Sequence, residues 1–180
     1  MDDSQYDYDL EPLSFLTVGT QGPPGQRTFY LQAAQGAQVV SLEFEKQQAM
    51  ALAVGLRRLL ANIEDEAPGA VSKREAARGN LDLLQPVAPA FRIGSLGIGV
   101  DEAQAHVFLV VRALAPEDEP AQTARFVASI EQALALVEHI PKVVEKGRPE
   151  CPACGEPMDP AGHRCPRRNG HAKVEPEAGG

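Results

Sequence analysis

Three cysteines stand within fifteen residues of one another in a chain of 180, at positions 151, 154 and 165. Cys151-Pro152-Ala153-Cys154-Gly155 is a Cys-x2-Cys turn followed by glycine. Such a turn aims two thiolates at one ion while backbone amides face the sulfurs, which is the geometry of a zinc knuckle. Cys165, with His163 two residues before it, supplies the other half of a four-coordinate shell, and Pro157 to Gly162 reads as the turn between the halves. Cys151, Cys154, His163 and Cys165 therefore suffice for a structural Zn2+ site without any residue from the rest of the chain. His171, six residues past Cys165, competes with His163 for the fourth place. Two other readings stay open: free thiols, and a catalytic zinc with an open position served by Glu150, Glu156 or Asp159. An odd number of cysteines so close together is no disulfide framework and suits a metal clip in a reducing compartment, so a cytoplasmic protein is expected.

A second set of residues could hold an anion. The Gly25-Gln26-Arg27-Thr28 loop offers amides, a guanidinium and a hydroxyl, the equipment for a phosphate or carboxylate. It lacks the Gly-Lys-Ser/Thr ending of a P-loop. Glu45, Lys46 and Arg92 could face the same sheet edge, so Gln26, Arg27, Thr28, Glu45, Lys46 and Arg92 form a candidate ligand site. The alternatives are a hairpin loop with Arg27 paired to a local carboxylate, and helix capping by Glu45 beside a solvated Lys46. An enzyme reading requires these residues to converge in one concave pocket. His106, in an apolar strand, and His139, on a helix, read as structural residues, since no nucleophile and acid gather around either by spacing.

The elements that must position these residues follow from periodicity. Ser14 to Thr20, Arg27 to Ala33 and Gln38 to Phe44 are β-type runs separated by turn residues, expected as an antiparallel meander. Glu45 to Ile63 is an amphipathic helix with apolar residues at steps of three and four, somewhat weakened by Gly55. Glu64 to Ala90 reads as a linker or variable loop with room for a short helix from Lys73 to Leu84. The order then recurs: Phe91 to Gly99, Ala105 to Leu114, Thr123 to Ala128, and a helix from Ile130 opened by a Ser129/Gln132 capping box and kinked or stopped at Pro141. Gln48-Ala49-Met50-Ala51-Leu52 also matches Gln132-Ala133-Leu134-Ala135-Leu136. The match points to two duplicated βββα halves related by a pseudo-twofold, or to the chance likeness of two Ala/Leu-rich helices. The expected fold class is α+β, an antiparallel sheet with both helices on one face plus a C-terminal zinc knuckle. The domain plan is an acidic flexible N-terminus over 1–13, an α+β domain over 14–146, the knuckle over 147–171 and a disordered tail over 172–180.

Charge narrows the partners. Lys and Arg number 17 against 25 acids, a net −8, which argues against broad capture of nucleic acid or an acidic membrane. The segment from Lys146 to Lys173 differs, with six basic and three acidic residues. Arg164, Arg167 and Arg168 there are candidate partner contacts. Interleaved aromatics for base stacking are missing, so an unknown protein or a phosphorylated ligand is expected ahead of nucleic acid. No secretory signal and no membrane span is expected: the first eleven residues carry five acids, and no apolar run approaches the eighteen or so residues that a spanning helix needs.

Gly22-Pro23-Pro24-Gly25-Gln26-Arg27-Thr28-Phe29, Glu45-Lys46-Gln47-Gln48, Phe91-Arg92-Ile93-Gly94 and the tail from Gly147 to Gly170 resemble the bacterial family termed domain of unknown function 3090. The likeness runs roughly from Tyr6 to His171, departing over Glu64 to Ala90 and at Pro141. The resemblance implies His163 as the fourth ligand, since the position of His171 is often a tyrosine in that family. It implies no reaction. The expected function is a binding or adaptor module with a structural zinc site. The alternatives are a phosphate-handling enzyme or accessory using the Gly25 to Thr28 loop, and a nucleic-acid binder acting through the basic tail.

Overall fold

The computed structural model describes residues 5–23, 25–101, 103, 105–146, 151–155, 158 and 163–167. A short strand, β1 (Tyr8–Leu10), precedes the meander β2 (Phe15–Gln21), β3 (Thr28–Gln35) and β4 (Gln38–Phe44). Helix α1 (Lys46–Glu66) leads to a second meander, β5 (Pro89–Val100), β6 (His106–Ala113) and β7 (Thr123–Ser129), and α2 (Ile130–Lys146) follows. The six strands of the two expected meanders and the two long helices are thus present. The capping box holds too: Ser129 N–H donates to Gln132 Oε1 at 2.9 Å, and Gln132 N–H to Ser129 Oγ at 3.2 Å. Pro141 does not stop α2, which runs on to Lys146.

The strands form one sheet in the order β1-β7-β6-β5-β4-β3-β2. Four junctions are antiparallel, whereas β4 with β5 and β1 with β7 are parallel, so the all-antiparallel expectation is corrected. The two meanders follow one another across the sheet and meet in parallel at β4/β5. That relates the first meander to the second by a shift of three strands, β2 to β5, β3 to β6 and β4 to β7.

A flat sheet of this order would set β1 and β2 at opposite edges, six spacings or about 29 Å apart. Only five peptide steps join Leu10 to Phe15, a reach of about 18 Å at most. The sheet is therefore curled until its edges approach, with its apolar face turned inward. Hydrogen bonds mark the closure: Leu13 N–H donates to Val127 O at 3.2 Å on the β7 side, and Ser14 N–H to Ala34 O at 2.9 Å on the β3 side. Within the expected N-terminal segment, residues 8–10 form β1 and pair with β7. Leu10 is fully buried, and Arg125 on β7 grips Asp9 through Nε (2.9 Å) and Nη2 (3.1 Å) and Glu11 through Nη2 (2.7 Å).

One apolar cluster joins sheet and helices, with Val18, Leu31, Leu42, Leu109 and Phe126 from strands and Leu56, Leu136 and Ile140 from helices. Gly55 weakens the helical pattern for a reason visible here: a Cβ at that position would stand 2.9 Å from Ile98 Cδ1, so glycine lets α1 lie close on β5.

The segment after α1 departs from expectation. Glu64, Asp65 and Glu66 belong to the helix, and no helix forms over Lys73 to Leu84. Residues 81–85 instead cover the outer side of β2, β3 and β4. Thr17, Gln32 and Ser41 are buried cross-strand neighbours there. Thr17 Oγ1 donates to Leu81 O. The Gln32 amide accepts from Leu84 N–H at 2.7 Å and donates to Leu84 O at 3.1 Å and Ser41 Oγ at 2.9 Å. One side chain thus serves the loop backbone as a neighbouring strand would.

Candidate metal centre

The knuckle residues gather as their spacing predicts. One ligand atom each from Cys151, Cys154, His163 and Cys165 lies within 4.8 Å of the other three, a group that could hold a metal ion. Cys151 Sγ is 3.7 Å from Cys165 Sγ, and Cys154 Sγ is 3.1 Å from His163 Nε2. Tetrahedral zinc with Zn–S bonds of about 2.3 Å would hold two sulfurs about 3.8 Å apart, which the cysteine pair matches. Cys151 and Cys165 are buried, Cys154 and His163 half-buried, and no disulfide joins the thiols.

Local backbone explains the first knuckle. Gly155 takes φ +75°, a conformation that favours glycine, and its N–H donates to Cys151 O at 2.8 Å to close the turn. The amides of Ala153 and Cys154 then face the Cys151 sulfur and lower its pKa from 9.0 to about 6. Cys151 is thereby poised as thiolate, the form that binds metal. Arg167 Nη1 donates to Ala153 O at 3.2 Å and so ties the second half of the knuckle to the first. Arg164 is exposed. Arg168, the competing ligand His171 and the acids Glu150, Glu156 and Asp159 lie outside the described residues, as does 172–180.

The second candidate set does not assemble. Arg92 forms ion pairs with Glu45 and, at 3.8 Å, with Glu43, all beside the start of α1. Gln48 accepts from Glu45 N–H at 2.9 Å, which fixes that helix start, and Lys46 is exposed. Arg27 instead lines a cleft of about 260 Å³ to which Gln26, Thr28, Glu45, Lys46 and Arg92 contribute nothing. The convergence that the enzyme reading requires is missing from this cleft.

Sequence reasoning missed what stands with Arg27 there: Asp82, His139 and Lys146. These come from three distant stretches, and no local spacing announces them. His139 does have the structural role expected of it, since its Nε2–H donates to Val18 O at 2.9 Å. Burial of the ring, with Lys142 and Lys146 nearby, lowers its pKa. His106 is exposed, its Nδ1 2.9 Å from Asp101 Oδ2. Among the described residues no helix is long and apolar enough to cross a membrane.

A curled α+β sheet domain with a C-terminal cluster of three cysteines and one histidine, able to hold a metal ion, is the class that fold and site define. The chain belongs to the family described as protein of unknown function (DUF3090), whose model matches residues 8–165. No curated protein and no solved structure matches it.

Proposed function

We propose that the chain is a binding or adaptor module of the cytoplasm whose C-terminal knuckle is held by a structural zinc ion. The observation that carries this reading is the gathering of four ligand atoms within 4.8 Å of one another. Three thiols and one imidazole select zinc among common divalent ions, because hard cations prefer oxygen ligands and thiolates suit zinc in a tetrahedral site. Four protein ligands leave no open position for substrate, which favours a structural over a catalytic ion. A cluster of three cysteines and one histidine at metal-ligand spacing suits a reducing compartment, which supports the cytoplasmic assignment. The exposed Arg164 and Arg167 lie beside the ligand Cys165, and zinc would order this basic surface for an acidic partner protein.

The test is metal analysis of reduced, purified protein. One equivalent of zinc per chain is expected, and its loss in the Cys151→Ser, Cys154→Ser double variant. Metal-free protein with an unaltered knuckle, or full zinc content in the double variant, would overturn the assignment.

A further inference from the structure

β2 is the last strand of the sheet, and the cleft that Arg27 lines opens along its free side, between α2 and the 81–85 segment. Val18 O points away from β3, since it accepts the His139 ring N–H. In an extended strand the N–H and C=O of one residue face the same side, so Val18 N–H is also presented to that edge. Arg27 is half-buried, and its Nε is fully shielded without a hydrogen-bond partner. Arg74, Arg78, Arg92 and Arg125 all hold carboxylates, but among the described residues neither Arg27 nor Lys146 has an ion pair. Asp82 is the one acid among the residues lining the cleft. A chain of net charge −8 thus sets two cations that have no ion pair, together with one acid, around one small concavity.

We propose that this cleft binds a small molecule carrying a phosphate or carboxylate group, held between the Arg27 guanidinium and the Lys146 ammonium. A shielded, unpartnered Nε means that packing rather than an acceptor of the fold sets the guanidinium, which leaves its terminal nitrogens for a ligand's oxygens. Val18 N–H adds a neutral donor at the strand edge. The neutral His139 ring, with its proton committed to Val18 O, and the Asp82 carboxylate are acceptors for a hydroxyl or amino group on the same ligand. The volume of about 260 Å³, just under the usual range for drug-sized sites, suits a compact metabolite. This site is independent of the metal centre and stands or falls without it.

The experiment is titration of the full-length, metal-replete protein with inorganic phosphate, glycerol 3-phosphate and malonate at constant ionic strength. Binding is followed by calorimetry and by the His139 ring resonances. Saturable binding that shifts His139 is expected, and preference for the phosphates or for malonate tells which oxyanion the cleft takes. Arg27→Met is expected to weaken binding about tenfold or more, the worth of one charge-assisted hydrogen bond. It should leave the melting temperature unchanged or raised, because it removes an orphaned polar atom. Lys146→Met, at an exposed helix end, is the second variant and should weaken binding without affecting the fold. No saturable binding of any of the three anions up to about 10 mM, or binding indifferent to both substitutions, would overturn the proposal.

Discussion

Glu64 holds together the turn that leaves α1. Its carboxylate accepts from the Ser72 hydroxyl at 2.6 Å and from the amides of Gly69 (2.8 Å), Val71 (2.8 Å) and Ser72 (3.0 Å). These bonds, the Ser72 hydroxyl foremost, bring its pKa from 4.5 down to about 2. A carboxylate depressed in the folded state stabilises in full above its unfolded pKa and loses that contribution as pH falls through the folded value. Urea midpoints of the wild-type protein are therefore expected to drop more steeply between pH 4.5 and about 2 than those of Glu64→Gln, which has no such charge to lose. Parallel pH profiles would count against it. In the sequence Glu64 stands in an acidic run that reads as the start of a linker, because a carboxylate gathering amides five to eight residues ahead leaves no periodic trace. The Cys/His cluster was legible for the opposite reason, since its spacing is set within a fifteen-residue span.

Among the elements, the strands of both meanders and the two helices were legible because their apolar periodicity and turn residues are local. β1 was not, since three residues among acids carry no alternation and their partner strand lies more than a hundred residues on. Nor was the covering segment 81–85, whose support is the Gln32 side chain. Gln32→Leu would take away the partner of the part-buried Leu84 N–H and C=O and of the buried Ser41 hydroxyl. A loss of roughly 2–3 kcal/mol is expected in denaturant unfolding, with faster hydrogen exchange at Leu84 ahead of the strands. Exchange at Leu84 equal to that of the wild type would refute the anchoring role. Gly19 on β2 faces the same segment: a Cβ there would lie 2.5 Å from Leu83 Cγ. Gly19→Ala is thus expected to lift Leu83 and widen the cleft beside it, seen as altered His139 resonances with the sheet's amide pattern retained.

For the whole molecule, closure of the curled sheet rests on Arg125, which joins β7 to Asp9 on β1 and to Glu11 just after it. Arg125→Met is expected to cost about 1–2 kcal/mol, less than buried charge-assisted bonds would suggest because the site is partly exposed. The accompanying rise in hydrogen exchange should be confined to 8–14; a uniform rise across the sheet would show that closure is not a separable step. The anion cleft and the closure share one cause of invisibility in the sequence. Each joins side chains that become neighbours only after the sheet has curled. Arg125 stands 116 residues beyond Asp9, which bears on synthesis as well as stability. At typical translation speeds of about 5–20 residues per second, the opening strand leaves the ribosome roughly 6–23 s before its partner exists. During that wait its carboxylates keep a short, partly apolar stretch in water, and the same charges later recognise the arginine. The acids at the front of the chain thus act first as a safeguard against premature pairing and then as the latch.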